Sequence, residues 1–222
     1  MMRNSTEYSV IRHFTNVKAL YGILEKGFKF SSGSSWPDLD DKYDIERYKK
    51  ISHREIGILC FCDGKGTIYH WTNLGTANDQ GKDKESMMKC SISIYKEPFL
   101  EYVESLQKFE KPRKIEYCNE IDVLFREIHD IPYLKKEQYI IENELRILFI
   151  GNKVETEAII PNIHPFIKCI TISENDCNRE EFFQIRTKIE NKYSHLKGLV
   201  CQNTTNWQKN VEQLINITYE SK

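Results

Sequence analysis

The sequence holds no apolar run near the roughly 20 residues that a helix needs to span a bilayer, and its polar start, MMRNSTEYS, has no cleavable apolar leader. Those two absences predict a cytoplasmic protein without membrane contact. An excess of charge of one sign is missing too. Lysine and arginine number 32 against 33 aspartates and glutamates, a net charge of -1, so there is no global electrostatic case for nucleic acid or anionic lipid. A phosphate loop and a dinucleotide glycine fingerprint are also absent, because Gly64-Lys65-Gly66 is too short and lacks the strand-turn-helix context. This argues against nucleotide binding of the doubly wound kind. No internal repeat, heptad, low-complexity tract or linker divides the chain, so residues 1–222 read as one domain.

Seven cysteines are present, an odd number without the rhythm of a disulfide scaffold, and they predict reduced thiols. The glycosylation-type triplets at Asn4, Asn203 and Asn216 then read as chance. Cys60 and Cys62 point the same way from one strand and Cys90 could lie near, yet no second cysteine pair or spaced histidines complete a tetrahedral site. Core thiols are the expectation, and no metal.

With 40% hydrophobic and 12% aromatic residues the chain is that of a folded protein. Strands are expected at Tyr8 to Phe14, Ile56 to Cys62, Met88 to Tyr95, Phe166 to Ser173 and Gly198 to Cys201, with a hairpin partner at Val154 to Ile160. Asn16 as cap, Val17, Leu20, Tyr21 and Leu24 at helical spacing, and Gly27 as left-handed stop predict a first helix. Ser31 to Asp44, rich in turn formers and acids, reads as a surface loop. Two helical pieces are expected between Pro98 and Ile131, another over Glu180 to Tyr193 facing inward with Phe183, Ile185 and Ile189, and a last one around Trp207 to Ile217. Short strands with unevenly placed helices make the class α+β.

The stretch Tyr139 to Ile150 carries the strongest chemical signal. As one extended strand it places Glu142, Glu144 and Arg146 on one side and Ile141, Leu145, Ile147 and Phe149 on the other. Two acids beside an arginine repel unless solvated or used. An ordinary half-exposed strand with a surface ion pair satisfies the same spacing. The acids and lysine at Asp38, Glu46 and Lys49 offer a weaker alternative, a metal-dependent nuclease.

Taken in order, Arg12-His13-Phe14-Thr15, the helix from Asn16 to Gly27, the loop from Ser31 to Asp44, Cys60-Phe61-Cys62, His70-Trp71 and Glu142-Asn143-Glu144-Leu145-Arg146 resemble the motifs of the bacterial family called domain of unknown function 2971. The resemblance runs to about Cys201, with departures at Cys62, at Leu74 and in the Trp36-Pro37-Asp38 loop. That family is in turn similar to the ADP-ribosyltransferase fold, α+β with split small β-sheets and flanking helices gripping NAD. The resemblance implies an NAD-dependent transferase or NAD hydrolase in phage defence or as an intracellular toxin, with a macromolecular acceptor and an antidote or partner protein. It implies His13, with Thr15, on a ribose, Tyr69 or Trp71 stacked on nicotinamide, Glu144 stabilising the oxocarbenium-like charge, Glu142 orienting the acceptor, and Arg146 or Arg12 on the pyrophosphate. A non-catalytic relative that binds a nucleotide or partner protein is the rival. The enzyme reading requires Glu144, His13 and an aromatic of Tyr69 to Trp71 in one cleft.

Overall fold

A computed structural model describes residues 8–32, 39–73, 83–119, 126–151 and 154–203. The Trp36-Pro37-Asp38 part of the expected loop, the glycine-rich connection from Leu74, the helical positions Ile121, Leu124 and Phe125, and the tail helix at Trp207 to Ile217 lie outside those residues.

The chain is α+β, as its patterning predicts. β1 (Val10–Asn16) runs directly into α1 (Val17–Lys26), which is set by the features seen in the sequence. The Asn16 side chain accepts from the Ala19 amide at 2.8 Å, and the Gly27 amide donates to Ile23 at 2.8 Å from a φ of 100°. β2 (Phe28–Lys29) follows, then α2 (Leu39–Ser52), β3 (Ile56–Asp63), α3 (Ile68–Asn73), α4 (Lys84–Met87), β4 (Lys89–Tyr95) and α5 (Lys96–Ser105). β5 (Arg113–Lys114) and β6 (Glu116–Cys118) precede a 3-10 turn at Ile128–Tyr133 and β7 (Leu134–Lys136). A second 3-10 turn, Glu137–Glu142, leads into β8 (Glu144–Ile150). α6 (Val154–Glu157), β9 (Ile159–Ile160), β10 (Ile167–Ser173), α7 (Arg179–Lys192) and β11 (Val200–Asn203) complete the described order.

Seven strands form one sheet in the order β11-β10-β4-β1-β3-β8-β5, antiparallel throughout except for the parallel pair β10/β11. β2 with β9 and β6 with β7 make two further two-stranded sheets. The resemblance implied a split pair of small sheets; here the sheet structure is one wide sheet with two small additions. The first face of the wide sheet carries the larger core: Leu59, Phe61, Ile92, Leu145, Ile147 and Ile170 under α1, α5 and α7. The second face carries a smaller apolar cluster in which Ile45 and Tyr48 of α2 meet Ile56, Ile58, Tyr133 and Leu148.

Three expectations change. Residues 39–44 are not loop but the first turns of α2, with Asp40 and Asp41 beside the helix amino end where carboxylates are favoured. Val154 to Ile160 is a turn of helix before a two-residue strand. On α7 it is Phe182, not Phe183, that joins Ile185 and Ile189 inside, while Phe183 stays 46% exposed. Among the described residues no helix is long and apolar enough to cross a membrane.

Candidate functional site

The Glu-x-Glu-x-Arg stretch is not one strand. Glu142 closes the 3-10 turn, Asn143 takes a left-handed conformation (φ 42°, ψ 54°), and only at Glu144 does β8 begin. Asparagine tolerates that conformation, and here its amide also donates to the Asp63 carbonyl. The kink turns Ile141 out to 48% exposure, contrary to the core position that strict alternation assigns it. It also brings both carboxylates to one lysine.

That lysine, Lys135 on β7, donates to Glu142 Oε2 at 2.6 Å and Glu144 Oε2 at 3.5 Å, and lies 3.3 Å from Asp41 Oδ2. Arg146 completes the group. Its Nε donates to Glu144 Oε1 at 2.7 Å, Nη1 to the Pro132 carbonyl at 2.9 Å, and Nη2 to Glu144 Oε2 at 3.2 Å and to Asp41. Exposure falls from 9% at Lys135 through 6% at Glu142 and Glu144 to 5% at Asp41 and 0% at Arg146. At such burial each charge must be met by protein rather than water. The solvated charged face expected from sequence is therefore a buried ion network between α2, β7, the 3-10 turns and β8.

Burial by itself would raise the Glu144 carboxyl, but the Arg146 and Lys135 charges outweigh it and hold the group down to about 2. Burial would lower Lys135 and Arg146, and the carboxylates Glu144 and Asp41 around them reverse this, holding both cations charged. Cys60 stands opposite Arg146 in the β3/β8 register, and its thiol is pushed up by burial and then by Glu144. It is a protonated core thiol, as expected. Glu144, Lys135 and Arg146 are thus held in their charged forms rather than poised for proton transfer.

The α3 segment closes one side. Tyr69 donates its hydroxyl to Glu142 Oε1 at 2.9 Å, and burial followed by Glu142 raises its phenol. His70, fully buried, sits 3.0 Å through Nε2 from the Glu142 carbonyl, while its Nδ1 accepts from the Thr67 amide at 3.1 Å. These contacts fix the tautomer: Nε2 carries the hydrogen. Phe14 stacks on His70 with centroids 5.1 Å apart and meets the Trp71 edge at 5.2 Å. Tyr117 anchors the start of β8 by accepting the Glu144 amide at 2.8 Å.

Cross-strand register decides which residues share this face. Cys169, Ser93, Arg12, Cys62 and Glu144 form one row across β10, β4, β1, β3 and β8. Arg12 is thus on the network's face but two strands from Glu144, about 10 Å by strand spacing, and it donates to the Gly64 carbonyl. His13 and Thr15, one residue out of phase, face the larger core. His13 pairs with Ile92, packs against Phe28 and Phe61 at 5.2 and 5.7 Å, and donates from Nδ1 to the Cys60 carbonyl at 2.9 Å. Burial lowers its pKa and keeps it neutral. Thr15, opposite Cys90, is 9% exposed.

Of the sequence-derived site residues, Glu142, Glu144, Arg146 and Tyr69 come together, with Trp71 beside them and Arg12 farther along the same face. His13 and Thr15 are separated from them by the sheet. Arg146, assigned to a pyrophosphate, is committed to Glu144, Asp41 and Pro132. Sequence reasoning missed Lys135, Asp41, Tyr117 and the positioning part of His70. Among the described residues no group of three or more histidine, cysteine or acidic side chains is arranged to hold a metal ion. No protein-family model matches the chain, and no curated protein or solved structure matches it either.

Proposed function

We propose that this chain is a non-catalytic nucleotide-binding module whose buried ion network holds the binding face in shape. The carrying observation is the commitment of both glutamates. Glu144 is shared between Arg146 and Lys135, and Glu142 between Lys135 and Tyr69, at 6% exposure each. With His13 on the opposite face, the histidine, aromatic and glutamate that NAD cleavage of this type uses do not meet. Arg12 for phosphate and half-buried Trp71 for a base ring supply recognition on the network's face.

A second reading, an NAD-cleaving enzyme acting on a macromolecular acceptor, draws support from one contact, the Tyr69 hydroxyl on Glu142, which sets an aromatic beside a carboxylate able to face a developing sugar cation. One experiment separates the two. Purified protein is incubated with NAD and cell extract and assayed for nicotinamide, while NAD and ADP-ribose are titrated in a thermal-shift assay. The binding reading expects a raised Tm that Arg12→Ala abolishes and no nicotinamide. Release that disappears in Glu142→Gln would reverse the order of the two readings.

A further inference from the structure

Two imidazoles outside the ion network face each other nitrogen to nitrogen. His164 opens the 3-10 turn His164–Phe166 between β9 and β10, and His195 lies in the 3-10 turn Ser194–Leu196 between α7 and β11. His164 Nδ1 is 2.5 Å from His195 Nε2, with the ring centroids 4.7 Å apart and the planes tilted by 53°. On its other side, His164 Nε2 is 2.7 Å from the carbonyl of Leu24 in α1. A carbonyl can only accept, so Nε2 carries the ring hydrogen and Nδ1 turns its lone pair to His195. Tyr193 packs against the same ring at 5.0 Å between centroids. His164 is partly buried in this setting, and His195 is exposed.

We infer that His164 Nδ1 and His195 Nε2 form a binding site for a divalent transition-metal ion of the nickel, copper and zinc class. Imidazole nitrogen suits that class, whereas calcium and magnesium call for oxygen ligands. The Leu24 contact is the arrangement that stands behind metal-bound histidines: a backbone carbonyl holds the far N–H, fixes the tautomer and ring orientation, and makes the facing nitrogen a better ligand. His70 shows the contrast, because the Glu142 carbonyl and the Thr67 amide take both its ring nitrogens inside the core. In the structure His195 Nε2 donates its hydrogen to His164 Nδ1. Binding transfers that hydrogen to His195 Nδ1 through solvent, so both facing nitrogens offer lone pairs and the charge of the protein is unchanged. An ion about 2.0–2.1 Å from each nitrogen needs them roughly 3 Å apart. The movement falls to His195, whose exposed ring sits on a three-residue turn. That exposure also gives the ion its entry and leaves its remaining positions to water. Once bound, the ion ties α1 to the two turns that lead into β10 and β11.

The test is equilibrium dialysis of the untagged full chain against nickel(II) chloride at pH 7.5, with bound nickel measured by elemental analysis and Tm followed in parallel. Saturable nickel binding and a Tm that rises with nickel concentration are expected. His195→Ala, a change at an exposed side chain, should weaken binding by at least the roughly 10–100-fold that supporting groups around a metal are worth. Cys201→Ala, which removes the exposed thiol, should leave it intact. Binding should also weaken from pH 7.5 to 5.5, as protons compete for the imidazoles. No nickel binding, equal binding by the His195→Ala chain, or binding lost in Cys201→Ala overturns the assignment.

Discussion

Lys135 is the residue on which the buried network turns, because it alone among the described side chains touches Asp41, Glu142 and Glu144 together. Replacing it by methionine keeps much of the stem and removes the charge, leaving the acids around Arg146 alone. The expected cost is about 3–5 kcal/mol, the range for stranding a buried charge, measured as a fall in the urea midpoint. The double variant Lys135→Met/Glu142→Leu should recover part of that loss. If Lys135→Met costs less than about 1 kcal/mol, the network is not charge-coupled in the way its distances imply. The sequence showed the acids and the arginine because they are spaced along five residues. It did not show Lys135 or Asp41, since their meeting depends on β7 and α2 folding over β8, which no local spacing records.

At the scale of elements, α1 was legible because its determinants are local: the Asn16 cap, the apolar face of Val17, Leu20 and Leu24, and Gly27 at the end. Gly27 does more than end the helix. Its φ of 100° with ψ of -177° is a region that only glycine occupies readily, and a Cβ there would lie 2.0 Å from the Ile160 carbonyl oxygen on β9. Gly27→Ala is therefore expected to cost roughly 2–4 kcal/mol through strain and a backbone shift of β9, with the slope of the denaturation curve unchanged. An unaltered midpoint would mean that β2 and β9 are not held together at this contact. β8 was read one turn too long for a complementary reason. Alternation continues back through Glu142, and only the left-handed Asn143 interrupts it, a conformation asparagine permits but does not announce. Only the first turns of α2 were obscured by its acidic start, where Asp40 and Asp41 look like loop residues ahead of a helix and are in fact its first turn.

For the whole molecule the placement of charge sets how stability responds to acid. His13 has a folded pKa below its unfolded value, so the unfolded chain binds the extra proton as pH falls through about 6.5, and stability declines from there downward. Glu144 has a depressed folded pKa. Its contribution is full above the unfolded value of about 4.3 and is lost as pH falls from there towards about 2, a contribution on the order of 3 kcal/mol. Unfolding free energies measured from pH 7.5 to 3 should decline in both ranges. The deficit of His13→Gln relative to the parent should shrink between pH 7 and 5.5, because the parent alone pays the neutral-histidine penalty; a constant deficit would remove His13 from the first decline.

The sequence by itself determined the α+β class, the chain positions of β1, α1, β3, β4 and β10, and the Glu142, Glu144 and Arg146 cluster, since propensity, capping and hydrophobic period are properties of neighbouring residues. The tertiary structure decided which face each residue joins. One residue of phase on β1 sends His13 to the larger core and Arg12 to the network, and one left-handed residue before β8 turns two acids from a solvated edge to a shared lysine. Such parity is fixed by register between strands far apart in the chain, and by which side of the sheet finds a helix to cover it.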